Sequence, residues 1–217
     1  MMDSAAHGEL AHLPFALPVH RPGKAARSWE WFVDGEGAGE PPPQERASIT
    51  RLARQLGHGL YLGGYAAAIS GEAVRVKQVT AWAVRSVLRE QQIPGGRTLW
   101  WTLPEGTVPD TLVPGIAKRL DRPRSRGESA CAHTAALLRE RRIRIVVLAD
   151  LHHGLRGRGI KALRYGQLPY LIKTASSTLF VYMGVELERT LLRGPGADML
   201  APYVHLFPLA AACEVRG

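Results

Sequence analysis

Two stretches of this 217-residue chain hold side chains whose type and spacing could grip a phosphate and a divalent cation. The first is Gly71-Glu-Ala-Val-Arg-Val-Lys77-Gln78, directly after an apolar run. A loop of the pattern G-x-x-x-x-G-K-[ST] between a strand and a helix cradles phosphates with backbone N–H groups, lysine reaching the outer phosphates and the hydroxyl residue the cation. Gly71 and Lys77 stand at the first glycine and the lysine, while Val76 replaces the second glycine and Gln78 the hydroxyl residue. Valine there narrows the cradle and restricts its dihedrals. The residues nominated for phosphate binding are Gly71, Glu72, Val76, Lys77 and Gln78. The second stretch is Ile143-Arg-Ile-Val-Val-Leu-Ala149, read as a strand covered on both faces, with Asp150 at its end. A carboxylate there helps hold Mg²⁺ in phosphate-handling α/β folds. Two plainer readings stay open: Lys77 as a solvated lysine near a helix start, and Asp150 as a turn or helix-capping residue.

Other chemistries find less support. His152-His153 are adjacent and so diverge, and no third ligand stands at helical spacing to complete a metal site. No nucleophile elbow accompanies either histidine. Cys131 lies in an Ala-rich stretch and reads as packing, and Cys131 and Cys213 cannot build a disulfide framework. Trp100 and Trp101 are neighbours on a strand, face opposite layers and read as core.

Charge supplies a second clue. Lys and Arg number 28 against 19 Asp and Glu, a net +9. Between Lys118 and Arg158 eleven basic residues face four acidic ones, a net +7, so most of the excess lies in one stretch. A basic face favours a polyanion such as DNA or RNA. The nominated contacts are Arg122, Arg124 and Arg126 in one loop, and Arg139, Arg141, Arg142 and Arg144 before the strand. An Arg-rich composition also arises without any such partner, and charge runs are often plain solvated surface.

The elements that must position these residues alternate. Residues 1 to about 45 read as an irregular extension, with Pro14, Pro18, Pro22, a Gly-rich run and Pro41-Pro42-Pro43. Its Trp29, Trp31 and Phe32 call for a docking place, on the chain's own core or on a partner. Helices are predicted over Ser48–Leu56 with Gly57 as the stop, and over Val76–Arg89, Thr111–Leu120, Ser129–Arg141, Ile160–Ala175 (split or kinked at Pro169) and Glu186–Leu192. Strands are predicted over Tyr65–Ser70, Thr98–Leu103, Ile143–Ala149, Thr178–Met183 and Val204–Phe207. Strand and helix in alternation predict a three-layer α/β/α sandwich of P-loop type around a mainly parallel sheet of about five strands. No run nears the roughly 18 apolar residues of a membrane helix, and no leader pattern opens the chain, so the expected setting is cytoplasmic.

The stretch from Ile143 to Leu209 resembles the AAA-type P-loop ATPases, in particular the TniB/TnsC-like helper ATPases of transposition systems. The resemblance rests on Val146-Val-Leu-Ala-Asp150-Leu-His-His153, similar to a strand ending in D-E-x-H, on Tyr170-Leu-Ile-Lys-Thr174, and on Leu179-Phe-Val-Tyr-Met-Gly184-Val-Glu186. Thr98-Leu-Trp-Trp-Thr-Leu-Pro104-Glu-Gly106 looks like the family's second strand, and the likeness extends over about residues 47 to 209. It implies ATP or ADP with Mg²⁺ as cofactor, Lys77 on the phosphates and Asp150 facing the cation. It also implies partners among DNA, a transposase or other DNA-processing protein, and further copies of the same chain. The departures fall where turnover would occur. Leu151 replaces the Glu expected to polarise water, Val76 and Gln78 weaken the phosphate and cation contacts, and Tyr203 and His205 stand where the family carries an arginine. A helical lid is expected to be missing after the core. The expectation is a degenerate, catalytically impaired pseudo-ATPase with weak or absent nucleotide binding. Two alternatives are a nucleotide-free interaction scaffold in signalling or defence, and an active NTPase with unusual motifs.

Overall fold

Five short apolar strands make one sheet, and the helices between them decide its order. The computed structural model describes residues 40–41, 43–120, 129–155 and 160–209. The strands are β1 (Ala66–Ser70), β2 (Thr98–Thr102), β3 (Ile145–Ala149), β4 (Leu179–Gly184) and β5 (Val204–Pro208). They are all parallel, in the order β2-β3-β4-β1-β5. β3 and β4 are buried along their whole length, as continuous Ile/Val/Leu/Phe runs require when both faces are covered.

The helices are α1 (Arg46–Leu62), α2 (Ala73–Glu90), α3 (Leu112–Arg119), α4 (Ala130–Glu140), α5 (Ile160–Ala162), α6 (Leu168–Thr174), α7 (Leu187–Leu191) and α8 (Ala197–Leu200). α1 and α2 cover one face, packing Leu52, Leu56, Val79 and Val84 onto Ala67, Ile69, Val147 and Val181. α3, α4, α6, α7 and α8 cover the other, where Leu112, Ile116, Leu138 and Leu171 meet Val146, Leu148, Phe180 and Tyr182. Trp100 and Trp101 do divide between the two layers. The fold is therefore the three-layer α/β/α sandwich that the alternation predicts, and the sheet is parallel throughout.

α1 runs past its predicted stop. Gly57 and Gly59 are both helical, and Gly59 is needed there, since a Cβ on it would lie 2.5 Å from the Tyr65 ring. The helix ends at Gly63, whose φ of 69° suits glycine and whose N–H returns to Gly59 O. The predicted helix over 160–175 is interrupted by a π-helical turn, Leu163–Gln167, so Pro169 falls in the first turn of α6, where its missing N–H is harmless. Among the described residues no helix is long and apolar enough to cross a membrane. The predicted extension lies almost wholly outside the described residues, which begin at Glu40 and include a 3-10 turn, Pro43–Glu45, leading into α1.

Strand order creates a crevice. The chain leaves β1 through α2 on one face and crosses to β2 at the far edge; it then returns through β3 and β4 by helices on the other face. β1 and β4 are neighbours whose outgoing connections lie on opposite faces. At such a switch point the C-terminal strand ends open a cleft, the usual ligand position in open α/β sheets.

Candidate functional site

Lys77 and Asp150, 73 residues apart in sequence, meet at this crevice. Lys77 Nζ donates to Asp150 Oδ2 at 2.6 Å, and the two side chains are only 20% and 12% exposed. Asp150 directly follows β3 and takes a left-handed φ of 55°, a conformation that aspartate tolerates better than most residues. Its carbonyl accepts the His153 N–H at 3.0 Å, which starts a 3-10 turn over Leu151–Leu155.

The surroundings are knit from strand ends. Ser70, last in β1, accepts the Leu187 N–H on its Oγ at 3.0 Å and the Leu209 N–H on its carbonyl at 2.8 Å. Gly71 N–H donates to Gly184 O at 3.4 Å. Gly184 has no room for a side chain, since a Cβ would lie 2.8 Å from His152 Nδ1. That nitrogen accepts the Val185 N–H at 3.4 Å, which leaves the neutral ring's proton on Nε2. His153 Nδ1 lies 3.2 Å from Leu103 O and is therefore the protonated nitrogen of its ring. The two rings pack at 4.2 Å, and both histidines act as braces between strand-end loops.

The expected phosphate loop takes a different form. α2 begins at Ala73, three residues before its predicted start, so only Gly71 and Glu72 separate it from β1. Val76 N–H already donates to Glu72 O at 2.9 Å, and the Val76 side chain is 1% exposed, part of the core. Lys77 and Gln78 stand in the second helical turn, and Gln78 is exposed. A phosphate cradle needs a run of non-helical residues with converging N–H groups. Here Ala73 to Gln78 are already helical, and from Val76 onward the N–H groups are committed to the helix. The physical cause is Val76: without a second glycine, nothing favours the open loop over burial of valine in a helix. Leu151, at the position of the water-polarising Glu, is fully buried in the core. These residues do not fit an Mg²⁺-nucleotide in the manner the resemblance implies.

Arg75, not singled out from sequence, has a firm role. Its guanidinium grips Glu45 through Nε and Nη2, at 2.6 and 3.1 Å, and ties the start of α1 to the start of α2. Hydrogen bonding to that carboxylate raises the Arg75 pKa further above its usual value. No periodicity flags such a pair, because its partners are 30 residues apart.

The arginines lie at the other end of the sheet. Arg139 is in the last turn of α4, and Arg141, Arg142 and Arg144 occupy the turn into β3. Arg139 and Arg142 are exposed; Arg141 and Arg144 are half-buried. Arg97, also missed from sequence, binds this turn by donating to Arg141 O at 2.6 Å, and its own carbonyl accepts the Arg144 N–H at 2.7 Å. From Arg144 to Asp150 the strand advances about 20 Å at ~3.3 Å per residue. Lys77 and Asp150 thus lie at one end of the sheet, and Arg139, Arg141, Arg142 and Arg144 at the other. Arg122, Arg124 and Arg126 lie outside the described residues. Among the described residues no group of three or more His, Cys, Asp or Glu gathers as metal ligands.

No protein-family model matches the chain, and no curated protein matches it.

Proposed function

We propose that this chain is an ATPase-like core that acts by binding and not by turnover, with nucleic acid or a DNA-processing protein as its partner. The observation that carries the reading is the two-residue turn Gly71–Glu72, which leaves no phosphate cradle where the sheet opens its crevice. Lys77 and Asp150 neutralise each other there, and Leu151 cannot accept a proton from water. The polyanion half of the proposal is supported by Arg139, Arg141, Arg142 and Arg144 at one sheet end and by the net +9 of the chain. A setting in DNA transposition or a related DNA transaction rests on the resemblance of Val146–His153 and Leu179–Glu186 alone.

Thermal unfolding with and without millimolar ATP or ADP and Mg²⁺ tests the first half. The expected result is an unchanged Tm. A ligand present at 100 times its Kd adds about 2.7 kcal/mol, a rise of several degrees. Such a rise, lost in Lys77→Ala, would overturn the reading in favour of a working nucleotide site. Titration of a short DNA duplex at several salt concentrations tests the second half. Binding should weaken steeply with salt, and Arg139→Glu/Arg142→Glu should lower both affinity and salt slope. No binding at low salt would remove nucleic acid as the partner.

A further inference from the structure

Helix α1 carries an exposed stripe that nothing above uses. Arg51, Arg54, His58 and Tyr61 fall at i, i+3, i+7 and i+10, on one side of the helix, and all four are exposed. The 17 residues of α1 include no Asp or Glu. The stripe ends in Tyr61, 87% exposed, and Leu62 beside it is 59% exposed, so an aromatic ring stands in solvent at the end of a row of cations. α1 ends at the same end of the sheet as the arginines before β3. Gly64 N–H, just beyond α1, donates to Ser176 O at 3.1 Å, and Leu179 N–H, first in β4, donates to Arg144 O at 2.8 Å. Among the described residues that end carries Arg89, Arg139, Arg142 and Arg144 against Glu90 and Glu140.

We infer that this stripe, with the sheet end beyond it, is a track for single-stranded nucleic acid, DNA or RNA, in which Arg51 and Arg54 meet phosphates and Tyr61 stacks a base. The inference rests on the polyanion reading above and narrows it to single strands. Charge complementarity calls for a polyanion, since from Arg51 to Tyr61 the stripe runs about 15 Å without a carboxylate. Arg51 is steadied for this by Phe207, whose ring centre lies 5.1 Å from its guanidinium. Tyr61 selects among polyanions. An exposed ring stacks on an unpaired base, whereas a duplex keeps its base faces inside. An anionic membrane fits less well. A helix lying in the headgroups buries an apolar face there, and the apolar face of α1, with Leu52, Leu56 and Leu60, is already buried in the core.

Fluorescence anisotropy of the full chain with a labelled oligo-dT, an oligo-U and a duplex of the same length, at several salt concentrations, tests it. Single strands should bind at least about fivefold more tightly than the duplex at equal salt, and the tighter of oligo-dT and oligo-U names the strand. Tyr61→Ala should weaken single-strand binding at least about fivefold, the low end for losing one stacked base, while duplex binding is unchanged and Tyr61→Phe keeps full affinity. Arg54→Glu should lower both affinity and salt slope. Both residues are exposed, so each variant should keep its Tm. Single-strand affinity unchanged in Tyr61→Ala, or a preference for the duplex, would overturn the inference. If Arg139→Glu/Arg142→Glu still weakened duplex binding, the polyanion reading would stand without it. No binding of any of the three at low salt would overturn both. Sedimentation with phosphatidylserine vesicles, lost in Leu62→Asp, in the absence of oligonucleotide binding would overturn it in favour of a membrane surface.

Discussion

Removing one partner of the Lys77–Asp150 pair should cost more than removing both charges. At 2.6 Å, two unit charges in an effective dielectric of 20 attract by about 6 kcal/mol. Desolvation of two side chains that are 20% and 12% exposed offsets most of that. A net coupling of about 1–3 kcal/mol remains for a double-mutant cycle to read. Lys77→Met preserves the aliphatic stem but leaves the 8%-exposed Asp150 without its counter-charge, and should destabilise by about 2–4 kcal/mol. Asp150→Asn is the right partner variant, because asparagine tolerates the φ of 55° that alanine would strain. The double variant should lose only about 1–2 kcal/mol, since neither charge is then stranded. Urea unfolding followed by circular dichroism gives the midpoints, and constant m-values would show that the unfolding transition is otherwise the same. A coupling below about 0.5 kcal/mol, with m unchanged, would refute the reasoning: ammonium and carboxylate would then be solvated independently, and the crevice would not be closed by their contact.

Gly115→Ala should destabilise by about 1–3 kcal/mol, because the new Cβ would lie 2.3 Å from the Trp101 ring that Arg119 also covers; thermal unfolding reads it, and an unchanged Tm would mean the ring has slack. Tyr182→Phe should leave stability unchanged or raise it by up to about 2 kcal/mol, since the fully buried phenol has no hydrogen-bond partner; a clear loss in the same assay would reveal an acceptor for it. Burial raises the Cys131 thiol pKa, so its thiolate fraction at neutral pH is below that of a free cysteine. Iodoacetamide labelling, read by peptide mass, should therefore be slow at Cys131 and speed up as pH rises above the ordinary thiol range; labelling at the free-cysteine rate near pH 7 would contradict the burial.

Element types were legible because each has a short-range signature. Ile145–Ala149 and Leu179–Gly184 announce buried parallel strands by unbroken apolar runs, and α2 shows its buried face in Val76, Val79, Ala83, Val84 and Val87. Boundaries were less legible where a distant contact settled them. Gly57 would end an isolated helix, but Leu60 packs into the core and Gly59 fits against Tyr65, so α1 gains from continuing. The candidate site was legible as two residue types at strand ends, Lys77 and Asp150. Its supports were not: Ser70 holding the Leu187 N–H spans 117 residues, and the Arg75–Glu45 and Arg97–Arg141 contacts likewise join segments that no local pattern links.

The sequence by itself determined the alternation of strands and helices, the two-sided burial of the central strands and the excess of positive charge, because periodicity, branching and formal charge are properties of neighbours along the chain. Only the tertiary structure decided that β1 lies between β4 and β5, that Lys77 reaches Asp150 instead of heading a phosphate loop, and that the arginines before β3 sit at the opposite end of the sheet from both. Strand order and helix start follow from which apolar faces find cover, a competition among segments far apart in sequence. Val76 shows the competition at one residue. As a stand-in for glycine it weakens a loop, and as a valine beneath a helix it joins the core, where burying its side chain is worth about 1.5–3 kcal/mol.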